Sequence, residues 1–157
     1  MLGNAVGNAS WDRPNPHFPR QMRRVFDFLD EAGARATFFM LGLTIKNYPE
    51  IAQEVVRRGD EVGSHGYGHE QVFTLTPEAF RADVERSIEM LVKHTGARPT
   101  GYRAPLFSIN RDTVWALEIL SELGFQYDSS LHDTPKVPRR VGGIPKAATE
   151  LRLPSGA

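Results

Sequence analysis

The sequence predicts an α/β fold built on a parallel sheet, and three observations point there. An amphipathic helical pattern followed by a short strand-like run occurs four times. Each helical pattern stops at a glycine: Gly33, Gly59, Gly96 and Gly124. The connections are short, and helices alternating with short strands build βα units around a parallel sheet.

The first helix covers roughly 19–32 and opens on Pro19, whose missing N–H costs nothing in a first turn. Met22, Val25, Phe26 and Leu29 recur at helical spacing. The run ATFFML at 36–41 is the first strand. The second helix, about 48–58, uses Ile51, Val55 and Val56 and precedes EVGS at 61–64. The third has the clearest start, with Thr76 as N-cap and Pro77 as first helical residue. Phe80, Val84, Ile88 and Leu91 form its stripe, and GYRA at 101–104 follows. The fourth, about 110–123, carries Val114, Leu117, Leu120 and Leu123 and leads into FQYDSS. ELRLP at 150–154 is a candidate fifth strand. The stretch 131–149, with Pro135, Pro138 and Pro145, reads as a loop. Four to five parallel strands and four helices in a single domain, 1–157, are expected.

Composition narrows the function classes. Lys+Arg and Asp+Glu are both 19, so no net field draws the chain to nucleic acid or an anionic membrane. No cysteine is present, which removes disulfides, thiolate metal sites and a cysteine nucleophile. No apolar run reaches the ~18 residues of a membrane span. The start MLGNAVGNASWDRP lacks a basic and apolar leader, so a cytoplasmic location is expected. Oligomeric state is left open.

The chemistry concentrates in EVGSHGYGHEQ, residues 61–71. In parallel α/β sheets, sites collect at the C-terminal strand ends. Ser64 and His65 lie at one such end, Arg103 at another, Asp128 and Ser129 at a third. Neutral imidazoles are good ligands for zinc and similar ions. His65 and His69 are either an incidental pair or two ligands of one ion. Gly66 and Gly68 argue against a helix there and for a tight turn. Arg103 is either a surface ion pair or a group that orients a carboxylate or holds an anion. Pro105 forces Ala104 into extended geometry and stiffens this loop. Phe38, Phe39, Phe107 and Trp115 could line a sugar platform, but for Phe38 and Phe39 core packing is the simpler role. Asp128 suits turn formation. His17, His94 and His132 suit surface or packing roles. No G-x-S-x-G elbow, phosphate-binding loop or dinucleotide fingerprint is present.

The stretches ARATFFMLG, GDEVGSHGYGHE, GYRAPLFSI and GFQYDSS, in this order, resemble the polysaccharide deacetylase family. This is the nodulation-protein-B homology domain, carbohydrate esterase family 4. The SHGYGH and YRAPLFS versions are similar to the branch found beside bacterial exopolysaccharide-export genes. The resemblance covers about 18–157 and implies a distorted (β/α) barrel of the glycoside hydrolase/deacetylase type. It implies a divalent metal, zinc foremost, held by His65, His69 and an aspartate. It implies hydrolysis of N-acetyl groups on an N-acetylated polysaccharide or oligosaccharide, with the metal polarising the carbonyl and activating water. Arg103 and Pro105 match the family's third motif. Phe107 takes a position whose backbone N–H stabilises the oxyanion. Tyr67 and Leu106, inside these motifs, are the implied substrate contacts.

Two departures are visible. The family's first motif, a strand ending in paired acids, should precede residue 10, yet no Asp or Glu precedes Asp12. The motif carrying the acid histidine should lie beyond Ala157. The chain is therefore expected to be an incomplete barrel with weakened metal binding and little or no activity. Asp12 and Glu70 are minor candidates for a substitute ligand. Two other readings stay open: a hydrolase of cyclic imides or ureides on the same fold, and a non-catalytic carbohydrate-binding remnant.

Overall fold

The computed structural model describes residues 13–131, 141, 147–150 and 153. Four parallel strands form one sheet: β1 (Thr37–Met40), β2 (Glu61–Ser64), β3 (Gly101–Tyr102) and β4 (Tyr127–Asp128). Their spatial order equals their chain order. The register sets Met40 beside Ser64, Ser64 beside Tyr102, and Tyr102 beside Asp128. One line of neighbours thus crosses the C-terminal rim. The helices are α1 (Phe18–Glu31), α2 (Gly42–Asn47), α3 (Pro49–Arg57), α4 (Pro77–Thr95) and α5 (Trp115–Glu122). Helices between successive parallel strands are the expected α/β arrangement.

Local chemistry explains most of the boundaries. The Thr76 hydroxyl accepts from Ala79 N at 3.2 Å, which caps α4. Gly96 ends it at φ 72°, a left-handed conformation that costs glycine little. All four expected stop glycines have positive φ. Two differences from the expected elements stand out. The helix expected over 110–123 begins only at Trp115. Asn110 N donates to Thr113 Oγ1 at 2.8 Å, and that side-chain bond offers the backbone an alternative to helix. A fifth helix, α2, was not expected, because six residues beside Gly42 and Pro49 are too few to show helical periodicity. The expected strand at 150–154 and loop at 131–149 fall largely outside the described residues.

The helix-covered side of the sheet holds two apolar clusters. Phe26, Met40, Ile45, Ile51 and Val55 pack α1, α2 and α3 onto β1, with Leu91 of α4. Phe80, Val84, Ile88, Tyr102 and Ile119 pack α4 and α5 onto β3. Phe80 lies edge-on to Tyr102 and to Trp115, at 5.8 and 5.6 Å, so Trp115 is a packing residue here. Burying one such side chain stabilises by roughly 1.5–3 kcal/mol. Strand alternation sends Phe38 to this core, edge-on to Phe26, and turns Phe39 to the opposite face.

That opposite face is partly polar. Glu61 accepts from Thr37 Oγ1 at 2.6 Å, Tyr127 OH at 2.8 Å and Thr100 Oγ1 at 3.2 Å. Burial pushes the Glu61 carboxyl up, but these three donors outweigh it and hold it below its ordinary value. Tyr127 is pushed up to about 12, by burial and then by Glu61. Among the described residues no helix is long and apolar enough to cross a membrane.

Candidate functional site

The site begins where β2 ends. His65 N donates to Met40 O at 3.0 Å, and Arg103 N donates to Ser64 O at 2.9 Å. These bonds continue the sheet for one residue and bring His65 and Arg103 to the same rim. The chain then turns at Gly66, φ 78°, and again at His69, φ 65°. A positive φ is unusual for a residue with a side chain, and here it folds the second imidazole back toward the first. The ring centroids of His65 and His69 are 5.3 Å apart, inclined at 64°.

The surroundings of both imidazoles favour the neutral form. Burial lowers the pKa of His65, and the charges of His69 and Arg103 add to that against an opposing hydrogen bond. Burial also lowers the pKa of His69, against the opposing charge of Glu70. His65 Nδ1 lies 2.6 Å from Arg103 O. A carbonyl only accepts, so Nδ1 carries the proton and Nε2 keeps its lone pair. A backbone acceptor behind a histidine is the usual means of fixing a metal-ligating tautomer.

The donor set suits a first-row divalent ion. Zn–N bonds of about 2.0 Å in tetrahedral geometry put the centroids of two ligand imidazoles about 5 Å apart. The observed 5.3 Å matches that spacing. Among the described residues no group of three or more His, Asp or Glu converges, so the described donors are the two imidazoles. Asp12 lies outside the described residues.

Arg103 stands beside them. Its Nε and terminal nitrogen donate to Ser129 O at 3.2 Å and Ser129 Oγ at 2.6 Å. Its guanidinium lies 4.3 Å above the Phe39 ring and 5.7 Å from that of Phe107. Asp128 forms a turn, accepting from Ser130 N at 2.9 Å and Ser130 Oγ at 2.6 Å. Burial raises its pKa against those bonds.

Two motif residues, Tyr67 and Phe107, sit differently from expectation. Tyr67, the expected substrate contact, is only 7% exposed. Its ring lies against Gly42, where a Cβ would collide with it, and Arg86 stacks over it at 3.7 Å. Little of the ring is left for a sugar. Phe107 N, the expected oxyanion donor, donates to Ala104 O at 3.0 Å and closes the Pro105–Phe107 turn. Pro105 is fully buried, a stiffener and no contact surface. Leu106 and Phe107 are on the surface, 65% and 44% exposed, both at φ 52°.

One important residue escaped the sequence reading. Asp83 of α4 accepts from Tyr67 N at 2.8 Å and Gly68 N at 3.1 Å, between the two imidazoles. Burial raises its pKa while those amides oppose. Its sequence signal was a lone acid on the helix face otherwise marked by Phe80, Val84 and Ile88.

The chain is similar to known proteins in sequence and in fold. The sequence profile of the family described as polysaccharide deacetylase matches residues 10–127. A Helicobacter pylori peptidoglycan deacetylase is 38% identical over 106 residues, covering 68% of this chain and 35% of that protein. The crystal structure of a Mycobacterium smegmatis protein of polysaccharide deacetylase type superposes with a TM-score of 0.66 at 37% identity, over 72% of this chain and 38% of that one. A Bacillus anthracis CE4 family pseudoenzyme, as a mutant with restored enzymatic activity, superposes with a TM-score of 0.63 at 25% identity, over 68% and 38% of the two chains. The chain spans about a third of the length of the first curated relatives it matches.

Proposed function

This chain belongs to the polysaccharide deacetylase family, and on that premise we propose that it carries the metal-holding part of a hydrolase removing N-acetyl groups from the amino sugars of a polysaccharide. The reading rests on the convergence of two imidazoles, His65 and His69, 5.3 Å apart at the sheet's C-terminal rim.

His65 and His69 would hold the divalent ion, zinc foremost. When bound, it supplies Lewis acidity toward an acetamide carbonyl and lowers the pKa of water. The chain's own residues set the surroundings. The Arg103 carbonyl fixes the His65 tautomer, and Ser129 and Phe39 hold the Arg103 guanidinium in place. That guanidinium is fitted to orient a carboxylate or a polar substrate group. The exposed Leu106 side chain and Phe107 ring offer an apolar wall to a sugar face. The Helicobacter pylori relative is named for peptidoglycan, which favours an N-acetylated wall polymer as substrate.

The test is Zn²⁺ titration of the full chain with acetate release from N-acetylglucosamine oligomers, alongside His65→Ala and His69→Ala. Each variant should lose metal affinity by more than the roughly tenfold that even an outer-shell change costs. Wild-type affinity and acetate release in both variants would refute the assignment.

A second reading is a catalytically silent carbohydrate-binding chain. It is consistent with the likeness to a CE4 family pseudoenzyme whose activity was restored by mutation. Oligomer binding without acetate release, at saturating zinc, would support it; turnover would exclude it.

A further inference from the structure

We propose that α4 holds the loop between His65 and His69 in its ligating shape, with Asp83 as the positioning residue. The inference rests on the reading of the two histidines as ligands. Three residues of α4 reach the loop. Asp83 takes the amides of Tyr67 and Gly68 at 2.8 and 3.1 Å. Arg86 covers the Tyr67 ring at 3.7 Å. Ser87 Oγ lies 2.9 Å from Ser64 Oγ, both fully buried. Positions i, i+3 and i+4 share one helix face, so a single surface grips the chain from residue 64 to residue 68.

The N-terminal end of α2 holds the other side. Gly42 N donates to Gly66 O at 3.0 Å and Leu43 N to Tyr67 O at 3.1 Å. The fit is close: a Cβ at Gly66 would stand 2.7 Å from Asp83 Oδ2. A carboxylate suits this place because each oxygen can accept one of two successive N–H groups. An amide supplies one acceptor and sets its own N–H against the second donor. With the loop backbone tied at both sides, the imidazoles converge before metal arrives, which lowers the ordering cost of binding.

The test uses the full chain and Asp83→Asn, followed by residue-resolved amide exchange and by Zn²⁺ titration. In the metal-free wild type the Tyr67 and Gly68 amides should be protected, and Asp83→Asn should release at least one. Zinc affinity should fall about 10- to 100-fold while far-ultraviolet circular dichroism is unchanged, a split that loss of fold would not produce. A folded Asp83→Asn chain whose affinity stays within about twofold of wild type would overturn the proposal. If that variant does not fold, wild-type exchange decides: amides at residues 67 and 68 as fast as in a free peptide would overturn it, and protected ones would support it. A wild type that binds no zinc refutes the ligand reading by itself, and amide exchange in the two chains still decides whether Asp83 holds the loop.

Discussion

Replacing Gly63 with alanine should strain the floor beneath Arg103 while leaving the imidazoles alone. A Cβ at Gly63 would lie 2.7 and 2.8 Å from two ring carbons of Phe39 and 3.1 Å from Gly101 O. The ring cannot withdraw freely, because Arg103 lies 4.3 Å above it and Tyr127 meets it edge-on at 6.4 Å. Two effects compete. Alanine restricts the unfolded chain and by itself stabilises by about 0.4–1 kcal/mol. Overpacking costs about 1–3 kcal/mol. On mid-range values the clash wins, leaving a net loss of about 1–2 kcal/mol. For a chain of this size that is a fall of roughly 2–8 °C in Tm. Urea denaturation measures it, with the midpoint lowered and the slope unchanged. Phe39→Ala in the same chain should relieve the clash, so the double-mutant cycle should show coupling of about 1 kcal/mol or more. Zinc affinity should be that of wild type, since no bond to the His65–His69 loop is disturbed. A Gly63→Ala chain as stable as wild type, or a cycle without coupling, would refute the reasoning.

Further outcomes follow from the same structure. Removing the α4 cap with Thr76→Ala should cost about 1 kcal/mol, read by urea denaturation, while Thr74→Ala on the neighbouring exposed turn should cost less. In metal-free protein with chelator present, stability should drop from pH 7.5 to pH 5.5. The folded-state pKa values of His65 and His69 lie below the unfolded value of about 6.5, so below that pH the unfolded chain binds more protons. Their contribution is complete above about pH 6.5 and is lost as pH falls through the lowered folded values. A midpoint that rises on acidification over this window, or a drop undiminished in the His65→Ala, His69→Ala double variant, would contradict it.

The sequence alone carried the α/β class, the order of the elements and the rim placement of His65, His69 and Arg103. These features are local. Helical spacing in Phe80, Val84, Ile88 and Leu91, the Thr76–Pro77 start and the glycine stops each act within a few residues, so one-dimensional patterns display them. Short elements were harder to read. α2 is too brief to show a period, and the Asn110–Thr113 turn displaced the first turns expected of α5. The partners of each polar group were not legible, because the parallel register and helix packing set them. Asp83 meets amides 15 and 16 residues away, and Arg103 meets Ser129 across 26. The same packing buried Tyr67 between Gly42 and Arg86 and spent the Phe107 N–H on its own turn. Residue type and spacing determined which groups could do chemistry; tertiary structure decided which of them face the rim, because only packed neighbours fix where a side chain points.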